Sequence, residues 1–188
     1  MKRTRARSAI VVVGVDAMTH LFVRYAWAAR VSPSKIMEQV YSVNERFRPR
    51  FFGVEANAQQ SLFAGALQRE AKWREMKLPI VPVNQPTKQM KDFRIRSILQ
   101  PVMAQGRLFI PDSPEFYELR LEVQSFPLSA TKDLIDALAS AISLVPAQAT
   151  SKQDREEIEE LAAYLRASGA PPWYIEQRIA QVLREAAA

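Results

Sequence analysis

The chain has 188 residues, 48% of them hydrophobic and 24% charged, with a net charge of +6, no Cys and one His. That composition describes one main domain with a short appendage, and it excludes disulfides, thiolate zinc sites, cysteine nucleophiles and nearly every histidine metal site. Residues 151–188 carry five basic and seven acidic side chains, whereas residues 1–150 carry 21 and 13, so a basic body with a mildly acidic tail points to a polyanionic partner, most simply nucleic acid.

No apolar stretch approaches the roughly 20 residues of a membrane span. The basic start MKRTRAR is followed by only the short run Ala9–Val15, without a small-residue cleavage site, so neither a signal peptide nor a membrane partner is expected. The elements then follow in order. Ser8–Val15, SAIVVVGV, predicts a strand buried on both faces. Asp16–His20 is a turn and His20–Arg30 a second strand, together a hairpin. Ser32-Pro33 opens a helix over 33–47 with Ile36, Val40, Val43 and Phe47 on one side. Phe51–Glu55 is a short buried strand. Ala58–Lys72 is a helix with Leu62, Phe63, Ala66 and Leu67 inside. Leu78–Val83 is a short or edge strand because of Pro79 and Pro82. Lys88–Ala104 is a helix that Pro101 kinks or breaks and Gly106 stops. Arg107–Ile110 is a strand, and Pro114–Gln124 and Thr131–Val145 are helices. Strands alternating with helices after a hairpin give an α/β layer fold with a mixed sheet. In the tail, Ser151–Ser168 and Trp173–Ala187 form a helical hairpin broken at Gly169–Pro172. Trp27, Trp73 and Trp173 share no spacing and read as packing residues.

Ligands in open α/β sheets gather beyond the carboxyl ends of strands. Glu55 ends the run Phe51–Val54 at such a place; it also has the ordinary alternatives of facing solvent or capping the helix at Asn57-Ala58. Asp133 and Asp136 in TKDLIDALA are three apart, on one helix face near the helix start, where capping and the dipole equally favour acids. Glu55 with Asp133 or Asp136 forms an oxygen-only ligand set suited to Mg²⁺ or Mn²⁺, and two such ions hydrolyse phosphodiesters. Lys88, Lys91, Arg94 and Arg96 lie together on the following helix as candidate DNA-binding residues, with a solvated helix face as the plain alternative. Lys2, Arg3, Arg5 and Arg7 are a basic terminus. No GxxxxGK[ST] and no GxGxxG is present, so no nucleotide motor or dinucleotide site is recognisable.

The segments SAIVVVGVD, SPSKIMEQV, RPRFFGVEANAQQ, KDFRIRSILQPVMAQGRLFI and FPLSATKDLIDALASAIS together resemble the C-terminal nuclease domain of phage large terminase subunits, over about Ala6–Val145. The resemblance implies an RNase H-like mixed sheet flanked by helices over residues 1–148, with the helical tail 149–188 appended. It implies a two-metal endonuclease, using Mg²⁺ or Mn²⁺, that cuts concatemeric double-stranded DNA during packaging. The implied partners are a terminase ATPase domain, a small terminase subunit and a portal, in the cytoplasm of a bacterial host of a phage or prophage. Glu55 matches the family's middle acid and Asp133 its last, with Asp136 assisting; Lys132 replaces the first of the family's adjacent aspartates, so Asp133 and Asp136 both stay candidates for the ligand. The family's first strand and its Asp precede the strand that SAIVVVGVD resembles, so the resemblance covers the domain without that strand, and Asp16 is the nearby substitute. Two other readings compete. One is a resolvase- or transposase-like RNase H-fold nuclease using Asp16, Glu55 and Asp133. The other is a non-catalytic DNA-binding packaging module.

Overall fold

A computed structural model of the chain describes residues 7–16, 18–55, 58–83, 91–145, 152–172, 174–175, 177–179 and 182. It is mixed α/β and divides into two compact units, Met1–Gly14 with Phe22–Val145, and Val15–Leu21 with Pro146–Ala188. In the first unit, strands β1 (Ser8–Val15), β2 (Leu21–Ala29) and β5 (Leu108–Phe109) make one sheet in the order β1-β2-β5. Five residues join β1 to β2, too few for a parallel crossover, so this neighbouring pair is a hairpin. Strands β3 (Phe52–Glu55) and β4 (Ile80–Val83) form a second, parallel pair with Phe52 opposite Ile80 and Glu55 opposite Val83. The sequence predicts a single mixed sheet; among the described residues there are two small ones.

The expectation that β1 is buried on both faces also fails. Of its eight residues only Ile10 is buried, at 9% exposure, with Val11, Val12 and Val13 half-exposed. Apolar, β-branched sequence fits an interior strand, but burial is set by what lies on either side.

Helix α1 (Pro33–Phe47) begins where Ser32 accepts a hydrogen bond from the Lys35 backbone N–H at 3.4 Å. It ends at Arg48, whose φ of 46° is left-handed, a conformation that costs a non-glycine residue about 1–2 kcal/mol. Val40, Tyr41 and Val43 are buried with Ile10 from β1 and Leu67 and Ala71 from α2 (Ala58–Trp73). The buried stripe of α2 runs through Phe63, Leu67 and Ala71, at i, i+4 spacing. Leu62, expected inside, is 76% exposed because it lies off that stripe. Likewise Trp73, expected to pack, is 85% exposed. Trp27 does pack against this core, and Trp173 lies outside the described residues.

Helix α3 (Lys91–Ala104) runs through Pro101 without ending there, and Gly106 at φ 64° stops it, with the Gly106 N–H donating to the Met103 carbonyl and Arg107 N–H to that of Val102. The described part of this helix starts at Lys91, so Lys88 lies outside it. A short 3₁₀ turn, Pro114–Phe116, leads into α4 (Tyr117–Gln124), and α5 (Asp133–Ser143) packs against both α3 and α4. Leu134, Ile135, Leu138 and Ala139 on α5 are almost fully buried. At the far end of α5, Leu144 lies over Gly53 of β3. A Cβ at Gly53 would stand 2.6 Å from Leu144 Cδ1 and 3.0 Å from Val83 Cγ2, so any larger residue would have to push those side chains aside, and glycine lets Leu144 lie directly over the strand that carries Glu55.

In the second unit, α6 (Lys152–Ala167) stops at Gly169, φ 78°, where Ala170 N–H reaches back to the Leu165 carbonyl and Gly169 N–H to that of Arg166. Helical backbone resumes at the described positions from 172. Ile158, Ala162, Ile175 and Ile179 form its core, joined by Met18 from the hairpin turn and by Leu165, Ala170 and Val182. The tail's apolar cluster draws on the rest of the chain through Met18 of the hairpin turn, so removing residues after Ala149 is expected to expose that turn and leave the main unit folded. A truncated chain is expected to stay soluble and to melt in one cooperative transition by circular dichroism. A molten product would place the tail within the main core.

Candidate active site

The start of α5 is built by its neighbours. Its N-cap residue, Lys132, provides no side-chain cap. Glu122, from α4 and only 2% exposed, does that work instead: its carboxylate accepts from the Ile135 backbone N–H at 2.9 Å and from the Thr131 hydroxyl at 2.6 Å. A buried carboxylate at a helix N-terminus satisfies open backbone donors and sits favourably in the dipole field. Glu122→Ala should therefore cost about 2–3 kcal/mol, with Glu122→Gln losing less; chemical denaturation of the three proteins measures both. Nothing local in the sequence marks Glu122, because its partners are 9 and 13 residues away.

Asp136 is 5% exposed and faces α3. One of its oxygens is paired with Lys91 Nζ at 2.7 Å and the other with Arg94 Nη2. Arg94 also reaches the Ser140 hydroxyl, one turn further along α5, through Nη1 at 3.3 Å, while its buried Nε has no acceptor. A second bridge, Lys132 Nζ to Asp92 at 2.7 Å, ties the same two helices at their starts. The sequence places Lys91 and Arg94 on DNA and Asp136 beside a metal; the geometry turns all three toward one another. The single buried carboxylate is more than neutralised, by two cations, inside the α3–α5 contact, because a buried acid is stable only beside cations. Arg96 is exposed on α3 and is the described member of the DNA-binding set with its charge in solvent.

Asp133 is half-exposed at the first turn of α5. Arg7 lies in the electrostatic reach of Asp133. The Arg7 guanidinium pairs with Glu118 at 2.5 Å, and this hydrogen bond, reinforced by the charges of Glu118, Asp133 and Glu122, holds its pKa above the ordinary arginine value against the opposing effect of burial. Glu55 is half-buried at the carboxyl end of β3, the ligand-gathering side of a parallel pair. The Gly53–Leu144 approach brings its strand against α5, and α5 rises about 16 Å from Leu144 to Asp133.

Asp16 lies in the other unit and is engaged in its turn. Its carboxylate accepts from the backbone N–H groups of Met18, at 2.9 Å, and His20, at 2.8 Å, and pairs with the His20 ring at 2.8 Å. These bonds close the hairpin, an ordinary task for a turn aspartate.

As a set of metal ligands, Glu55 and Asp133 have the hard oxygen chemistry that Mg²⁺ and Mn²⁺ prefer. Among the described residues, however, no group of three or more acidic or histidine side chains comes together to hold a metal ion. Glu55 and Asp133 stand on separate elements, and the contact between those elements is at the end of α5 away from Asp133. Among the described residues too, no helix is long and apolar enough to cross a membrane. No protein-family model and no curated protein matches the chain.

Proposed function

We propose that the chain is an RNase H-like nuclease domain acting on DNA, of the kind found in phage terminases, with Glu55 and Asp133 as its metal-binding carboxylates. The observation that carries this reading is the placement of Glu55 at the carboxyl end of the parallel β3–β4 pair, in a body of net charge +8. Bound Mg²⁺ or Mn²⁺ would supply an activated water and charge stabilisation for phosphodiester hydrolysis. Asp136, Lys91 and Arg94 serve as the frame that fixes α5, and hence Asp133, while Arg96 stays available to the phosphate backbone. Double-stranded DNA is the substrate, and a packaging ATPase, a small terminase subunit and a portal are the fitting partners.

The test is nicking of supercoiled plasmid by the full chain in Mn²⁺, Mg²⁺ or EDTA. Slow cutting that prefers Mn²⁺ and stops in EDTA is expected, because two carboxylates hold metal weakly and Mn²⁺ binds such ligands more tightly than Mg²⁺. Cutting that persists in EDTA would refute the reading. A second reading, a non-catalytic DNA-binding module, draws on the pairing of Asp136 with Lys91 and Arg94. It predicts DNA binding with no cleavage under any metal. The resolvase-like reading asks Asp16 to leave its turn.

A further inference from the structure

The carboxyl ends of α1 and α2 meet the amino ends of β3 and β4 at one pole of the main unit. Asn44, near the end of α1, donates to the Lys77 carbonyl at 3.1 Å, and the Arg74 guanidinium lies 4.6 Å from the centre of the Tyr41 ring. The Phe52 N–H donates to the Pro79 carbonyl at 2.8 Å, which sets Arg50 and Phe51 beside the chain that follows Lys77. This pole gathers the exposed cations Arg46, Arg48, Arg50, Lys72, Arg74 and Lys77 against Glu45, Glu70 and Glu75. Of the cations, Arg74 alone is in an ion pair among the described residues, with Glu70. Two aromatic rings are exposed among them, Trp73 at 85% and Phe51 at 39%, with Arg50 over the Phe51 ring at 5.5 Å.

Compensation of the helix dipoles needs a cation in the last turn of each helix, and Arg46 and Lys72 provide it. Arg48, Arg50 and Lys77 lie beyond the helices and are surplus to that need. Arg48 occupies a left-handed cap position where glycine would be unstrained. A large indole left in solvent at the end of α2, in a pole whose cations other than Arg74 make no ion pair among the described residues, combines the features that bind unstacked bases and phosphates.

We propose that this pole is a binding surface for single-stranded nucleic acid, with Trp73 stacking on a base and Arg48, Arg50 and Lys77 contacting the phosphates. It lies at the opposite end of β3 from Glu55 and includes none of Lys88, Lys91, Arg94 or Arg96. It stands on charge and exposure alone, so it holds whether or not the chain cuts DNA.

The experiment is fluorescence anisotropy of a labelled 20-mer of thymidylate with the full chain in EDTA, where no metal-dependent cleavage occurs, over a series of salt concentrations. Arg48→Gly removes a charge while relieving the backbone, so Arg48→Gly/Arg50→Gln/Lys77→Gln is designed to keep its fold. Its Kd should rise at least tenfold and its salt slope should fall by about 2. Trp73→Ala should weaken binding about fivefold or more, and the wild type should bind the 20-mer more tightly than a duplex of the same length. A folded triple variant within twofold of the wild type would overturn the proposal. So would unchanged binding by Trp73→Ala, or binding to vesicles of 30% phosphatidylserine that exceeds binding to the 20-mer and is lost in the triple variant.

Discussion

Glu55→Gln and Asp133→Asn are each expected to reduce Mn²⁺-dependent nicking on the order of 10³-fold, about 4 kcal/mol of lost transition-state stabilisation. Both substitutions keep size and hydrogen-bonding capacity and remove the charge that would hold a cation. Their stability effects should be small. Glu55 is half-buried at a strand end, and Asp133, half-exposed, gives up a favourable position at the amino end of α5 and the field of Arg7, worth about 0.3–1 kcal/mol at such a position. Parallel thermal melts make the comparison interpretable. Lost cutting with an unchanged melting temperature assigns the residues to chemistry, whereas full activity per folded molecule would remove them from the site.

Asp136→Ala should behave in the opposite way, costing about 3–5 kcal/mol of stability because it strands the Arg94 cation in the α3–α5 contact, while Lys91, a third exposed, can turn to solvent. Arg94 is only 13% exposed in its side chain and already has one buried nitrogen without an acceptor, so it has little room to find water. For a chain of this length the loss corresponds to a fall in melting temperature of roughly 6–20 °C. Replacing all three members together, as Lys91→Met/Arg94→Met/Asp136→Leu, should recover most of that loss, since no unpaired charge then remains. If Asp136→Ala melts like the wild type, the ion pairs are not holding α3 to α5. If Asp136→Asn also keeps its stability but loses all cutting, Asp136 belongs with the metal ligands.

The elements with strong local signals were legible in the sequence. Ser32-Pro33 starts α1 and Gly106 ends α3, because capping is a matter of a few adjacent residues. The hairpin strands and the tail break at Gly169 follow from the same local chemistry. What failed depends on distant neighbours. Nothing within SAIVVVGV says what packs on either face of the strand, and of its residues only Ile10 proves to be buried. Leu62 and Leu67 look alike in sequence, yet only Leu67 lies on the face of α2 that meets Tyr41. The candidate site divides along the same line. The position of Glu55 at a strand end could be read from residue order. The pairing of Asp136 with Lys91 and Arg94 joins residues more than 40 positions apart, and charge spacing on one helix carries no record of it.

Whether Glu55 and Asp133 share a divalent cation is tested most directly by a calorimetric Mn²⁺ titration of the full chain. The wild type, Glu55→Gln, Asp133→Asn and Asp16→Asn would be compared under one buffer. Weak Mn²⁺ binding that is lost in both Glu55→Gln and Asp133→Asn, and kept in Asp16→Asn, is the predicted result. Binding untouched by Glu55→Gln and Asp133→Asn, or abolished by Asp16→Asn, would contradict it.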